Sequence, residues 1–162
     1  MSRAARRTVN VTGAALCAAL IACGGGSAPQ TAPTPAALPI DSVAFAPSLG
    51  IDLRLFTKLR SGAWYFDALR GSGAIADVGQ VLTMKYVASL PNGTVVDAQT
   101  TPVDIRLDDR VFRGWRSAIP GMRGGGKRTI ILPPELAYGA SGQGNVPPNS
   151  TLVFKIELIS VR

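Results

Sequence analysis

The stretch Pro133–Phe154, PPELAYGASGQGNVPPNSTLVF, decides how this chain is read. Most of it is Gly, Pro and small polar residues, the composition of a loop. Yet it holds one aromatic, Tyr138, and it runs straight into TLVFKIELISV. There Leu152, Phe154, Ile156 and Leu158 point one way, and Lys155 and Glu157 the other. A period of two with one apolar face is the signature of a half-buried strand. KRTIIL, just ahead of the loop, is a second strand. The loop therefore joins two strands, and its tyrosine needs a reason.

Further out the pattern repeats. In QVLTMKYVASL, Leu82, Met84, Tyr86 and Ala88 share one face, with Thr83 and Lys85 on the other. In VDIRL, Val103, Ile105 and Leu107 oppose Asp104 and Arg106. GAWYFDAL is an aromatic-rich strand closed by the turn RGSGA, and Pro91-Asn92-Gly93 signals a hairpin. RGWRSAI is a short helix, stopped by Pro120-Gly121 because proline cannot continue it and glycine relieves the backbone beyond. These elements predict an α+β domain: about five antiparallel strands whose apolar face is covered by one short α-helix.

Composition narrows the chemistry. The 162 residues suffice for one domain with tails. There is no histidine, and both cysteines lie in the first 23 residues. The body of the protein therefore has no His general base, Cys nucleophile, His/Cys zinc site or disulfide framework. No metal or cofactor is expected.

The formal charge of +7 is partly local. Arg3, Arg6 and Arg7 precede the apolar run VNVTGAALCAALIAC, the layout of a secretory signal over residues 1–22. Its end, Leu20-Ile21-Ala22-Cys23, resembles a bacterial lipobox. That resemblance implies cleavage before Cys23, a lipid on its thiol, and an exported protein held to a membrane of the bacterial cell envelope. Without those three arginines the 17 basic residues become 14 against 10 acidic ones, scattered and not interleaved with aromatics, so nucleic acid is not an expected partner. Residues 23–39, almost wholly Gly, Ala, Ser, Thr and Pro, read as a tether with a reach on the order of 50 Å if extended. Residues 40–60 carry no assignable pattern, and nothing in the chain signals a dimerisation arm, so a monomer is expected. The domain occupies 61–162.

Two motifs invite readings that fail. RGGGKR at 123–128 lacks the spacing of a phosphate loop and is followed by a strand, not a helix. Asp108 and Asp109 are adjacent on a turn, so their carboxylates point apart and nothing around them completes a cation site.

What remains is apolar and aromatic. The series VFRGW, PGM, G.KR, PPELAYG and PP.STLVF.IEL, in this order and spacing, resembles the FKBP-type peptidyl-prolyl cis–trans isomerases from Ser61 to Arg162. The resemblance implies a curved antiparallel sheet wrapped on the helix, with an apolar pocket that holds a proline ring. It implies Trp115 as the pocket floor and Tyr86, Val111, Phe112 and Phe154 as walls. Tyr138 corresponds to the tyrosine whose hydroxyl bonds a substrate carbonyl, Asp97 to the acid beside the pocket, and Val146 to the apolar residue of the flap. Val96 and Val103 stand where the family usually has pocket aromatics. Proline-containing unfolded or exported polypeptides are the implied partners. A peptide-holding module that keeps the pocket but turns over poorly is the alternative.

Overall fold

The structure is a computed structural model that describes residues 36–162. The signal segment, Cys23 and most of the tether lie outside the described residues. Alternation along the chain becomes one antiparallel sheet of six strands: β1 (Thr57–Lys58), β2 (Trp64–Leu69), β3 (Val81–Ser89), β4 (Val95–Arg106), β5 (Lys127–Leu132) and β6 (Leu152–Val161). Their order across the sheet is β1-β2-β5-β6-β3-β4. One α-helix, α1 (Arg113–Ala118), packs against it. The inward residues of β3, β5 and β6 (Leu82, Met84, Ile130, Leu132, Phe154 and Leu158) are all buried, and Trp115 and Ile119 of the helix segment close over them.

Six strands stand where about five were expected. The addition is β1, two residues that pair with Trp64 and Tyr65 and that no periodicity could announce. A second difference is the length of β4. VDIRL is only its last third, and the strand begins at Val95, directly after the hairpin turn. As the sheet's edge strand it carries few buried residues, so its first half shows no apolar stripe. Its register also breaks: Met84 faces Val103 but Tyr86 faces Gln99, so residues 100–102 bulge opposite Lys85. Pro102 is tolerated in that bulge because the edge of a sheet does not require its missing N–H.

Two close approaches seat the helix. A Cβ on Gly114 would collide with both methyl groups of Leu132, so only glycine lets α1 lie this near β5. Arg128, at the start of β5, is buried with its side chain 5% exposed and holds the helix end. It donates to both carboxylate oxygens of Asp67 on β2 (2.6 and 2.9 Å) and to the carbonyls of Ala118 (2.7 Å) and Pro120 (3.3 Å) just where α1 stops. Its guanidinium also lies over the Tyr65 ring at 4.3 Å. The last residue of RGGGKR is thus a structural anchor. A Cβ on Gly71 would strike the carbonyl of Gly124 and the amide of Gly126, and one on Gly126 would meet the Arg123 carbonyl at 2.8 Å, so close backbone packing accounts for glycine at both positions.

The unassigned segment has a clear place. Three single-turn 3-10 helices, Ile40–Ser42, Pro47–Leu49 and Leu53–Leu55, carry it across the face of the sheet opposite α1. Ile40 and Leu49 are buried there against Ile131 and Val153, the outward residues of β5 and β6, with Phe45, Ile51 and Phe56 around them. Irregular spacing among Pro47 and Gly50 hides this second small core from any periodic reading.

Candidate active site

Trp115, 3% exposed, reaches from α1 into a ring of aromatics supplied by four other parts of the chain. Its indole meets Tyr86 of β3 edge-on at 5.2 Å, Phe154 of β6 at 5.4 Å, and Phe112, just before the helix, at 5.7 Å. Phe112 in turn stands perpendicular to Tyr138, in the β5–β6 loop, at 4.9 Å. Edge-to-face pairs at these separations add attraction to their burial, because positive ring edges meet negative ring faces. Five rings therefore hold one another in fixed attitudes.

Four of them, all but Phe154, line a cleft of about 560 Å³, walled also by Asp97, Ile105, Val111, Ala137 and Gln143. A second cleft of about 260 Å³ adjoins it, lined by Val96, Val146 and Phe154 among others. Asp97, Tyr138 and Gln143 border both, so they form the ridge between the two. The loop over this ridge is shaped by backbone: Gln143 and Val146 exchange paired hydrogen bonds (3.0 and 2.9 Å), and Gly142 and Gly144 supply positive φ angles of 65° and 55°.

The polar groups are few and specific. Tyr86 donates its hydroxyl to Asp97 Oδ2 at 2.8 Å, tying β3 to β4 across the cleft edge. Burial first, then that hydrogen bond and the Asp97 charge, push the Tyr86 hydroxyl up to about 12. Burial and the Asp97 charge raise Tyr138 as well. Both phenols are therefore neutral donors at ordinary pH. Tyr86 spends its proton on Asp97, while Tyr138 donates to no protein group among the described residues, and its hydroxyl is available at the ridge. Trp115 Nε1 is buried and likewise without a partner.

Of the residues singled out from the sequence, Tyr86, Asp97, Val111, Phe112, Trp115 and Tyr138 come together in the larger cleft. Val96, Val146 and Phe154 line the smaller one. Val103 does not join them: it sits half-buried opposite Met84 and lines neither cleft. Ile105, two residues further along the same face, supplies that wall. Ile105, Ala137 and Gln143 were not foreseen, although Ile105 shares the alternation that pointed to Val103. Asp108 is taken up by Arg110, whose guanidinium at 2.7 Å holds its carboxyl below the usual range. Among the described residues no three metal-ligating side chains converge.

An aromatic cleft floored by tryptophan, on an antiparallel sheet with a single short helix, is the site this fold presents. Residues 73–159 match the family model of FKBP-type peptidyl-prolyl cis-trans isomerases. An FK506-binding protein of Neisseria meningitidis serogroup B is 40% identical over 100 residues, covering 59% of this chain and 92% of its own. FK506-binding protein 4 of Dictyostelium discoideum is 42% identical over 105 residues, 63% of this chain, but the chain spans only 29% of that protein's length. A crystal structure of a peptidyl-prolyl cis-trans isomerase from Pseudomonas syringae pv. tomato superposes with a TM-score of 0.62 at 37% identity, covering 66% of this chain and 80% of the other. The chain belongs to the FKBP-type peptidyl-prolyl cis-trans isomerase family.

Proposed function

We propose that this protein accelerates cis–trans rotation of X-Pro bonds in exported polypeptides, by holding the proline ring in the aromatic cleft and favouring the twisted amide. The observation that carries the reading is the pairing of an apolar, Trp115-floored cleft with two neutral phenols and one carboxylate at its rim. Rotation of the planar amide meets a barrier of about 18–20 kcal/mol, and uncatalysed exchange takes tens to hundreds of seconds. No nucleophile is needed to lower it. A site that excludes water removes the solvent hydrogen bonds that favour the planar form, and contacts stronger in the twisted state than in the planar one do the rest. Each ~1.4 kcal/mol of such preference gives about tenfold in rate.

In this reading Trp115, Phe112 and Phe154 grip the ring, and the available Tyr138 hydroxyl anchors a neighbouring substrate carbonyl. Tyr86 fixes Asp97, whose carboxylate biases the surroundings of the rotating carbonyl. The test is NMR exchange spectroscopy on a Leu-Pro or Phe-Pro tetrapeptide with the full-length protein. The wild type is expected to exchange the peptide far faster than buffer, and Tyr138→Phe and Asp97→Val each to slow it about tenfold. A wild-type rate equal to buffer overturns the activity, and an unchanged Asp97→Val rate removes only that residue's role.

Export and lipid attachment at Cys23 are part of the same proposal. Their support is the order of basic residues, apolar run and Leu20-Ile21-Ala22-Cys23. Mass spectrometry of the mature N-terminus tests them, with a diacylglyceryl-modified Cys23 as the expected first residue.

A further inference from the structure

The face of the sheet opposite α1 is only half covered. Leu49, Ile51 and Phe56 close over Ile131 and Val153, and the cover ends where Phe56 leans on Phe66, ring centres 5.5 Å apart. Beyond that edge a groove of about 520 Å³ crosses the bare half of the face, from Phe66 and Ala68 on β2 to Thr100 on β4. It shares only Tyr86 with the larger aromatic cleft and nothing with the smaller one.

Strand register fixes what the groove presents. Phe66, Thr129, Lys155 and Val87 lie in one row across neighbouring strands, and Lys127, Glu157 and Lys85 in the next. An apolar floor is thus studded with three ammonium groups and a single carboxylate. Glu157 is used by Lys127 at 3.6 Å, whereas Lys85 and Lys155 have no ion-pair partner among the described residues. Two uncompensated cations beside the half-buried Phe66 and Val87 call for a partner that is both anionic and apolar.

We propose that this groove binds an extended acidic segment of a partner polypeptide that carries two carboxylates and an apolar side chain at successive alternate positions. The groove spans four inter-strand spacings, about 19 Å, which matches about six residues of extended chain. Alternate side chains of such a segment point the same way, so carboxylates can meet Lys85 and Lys155 while an apolar residue enters beside Phe66. The chain's own residues 1–35 contain three arginines and no Asp or Glu, so they do not supply this occupant. A fatty carboxylate suits the floor but brings one charge to two lysines.

The test uses the full-length protein and a fluorescein-labelled, proline-free hexapeptide, Glu-Thr-Glu-Thr-Phe-Thr, whose alternate residues carry both carboxylates and the phenyl ring, followed by fluorescence anisotropy. Without proline the peptide lacks the ring that the aromatic cleft is proposed to hold. Saturable binding that weakens as salt is raised is expected, and Lys155→Glu and the pair Lys85→Glu/Lys155→Glu should weaken it progressively, the pair by ~10-fold or more. Circular dichroism checks that both variants are folded; Lys155 is exposed, so at least the single variant keeps the test decisive. Equal affinity for Lys-Thr-Lys-Thr-Phe-Thr overturns the proposal, as does binding indifferent to both variants. So does uptake of laurate without the peptide, or sedimentation showing that a second copy of the chain fills the face.

Discussion

Tyr86 and Asp97 are 11 positions apart on neighbouring strands, and a 2.8 Å hydrogen bond makes them one unit at the rim of the cleft. Alternation alone put Tyr86 on the inner face of β3, but nothing in the spacing paired it with Asp97, because the partner depends on the register of an edge strand with a bulge in it. Folding raises the Tyr86 hydroxyl from 10.0 to about 12. The neutral form is the one the folded state favours, so the stability it contributes is whole below pH 10 and is lost as pH rises through about 12. Urea denaturation at intervals between pH 9 and pH 12 should therefore show the wild type losing more stability than Tyr86→Phe, which has no proton to release. Parallel pH profiles for the two proteins would contradict this assignment. Val103 shows the opposite limit of residue-level reading: the right face of the right strand was legible, but which of two alternating residues reaches the cleft was set by where the helix lies.

Among elements, the six-residue helix is too short to be stable by itself, since nucleation costs more than its few hydrogen bonds return. Its sequence marks where it stops, at Pro120-Gly121, but not what holds it. That is Arg128, which joins Asp67 of β2, the carbonyls at the helix end and the Tyr65 ring. With the arginine 5% and the aspartate 20% exposed, the pair is largely out of water. Asp67→Asn leaves a buried guanidinium without its counter-charge and should cost about 3 kcal/mol, read as a lowered urea midpoint with an unchanged slope. A loss of under ~0.5 kcal/mol, typical of exposed pairs, would mean that Arg128 is satisfied by the carbonyls alone. From the sequence this arginine was only the end of RGGGKR, a motif to be set aside. Its structural task depends on contacts 61 positions away and could not be read from local spacing.

At the scale of the molecule, the sheet separates two surfaces of different make-up. One face carries the helix and the aromatic cleft; the other carries the segment from Ile40 to Phe56 and the basic groove. Ile40→Ala removes a buried anchor of the second face and should lower stability by about 2 kcal/mol, while prolyl exchange measured well below the melting transition stays at the wild-type rate. A parallel loss of exchange would show that the outer cover shapes the cleft. By itself the sequence determined five of the six strands and the helix, because alternation, proline and glycine act through local backbone geometry and through the need to bury apolar surface, while the aromatic cleft was legible only through the resemblance of its motifs. Only the tertiary structure decided that Ile40–Leu59 belongs to the domain, that Ile105 and not Val103 walls the cleft, and that Tyr138 keeps a hydroxyl unspent while Tyr86 gives its own to Asp97. Those outcomes rest on strand register and long-range packing, which no short window of residues encodes. The loop PPELAYGASGQGNVPPNSTLVF carries its tyrosine because it borders a cleft that the rest of the chain builds.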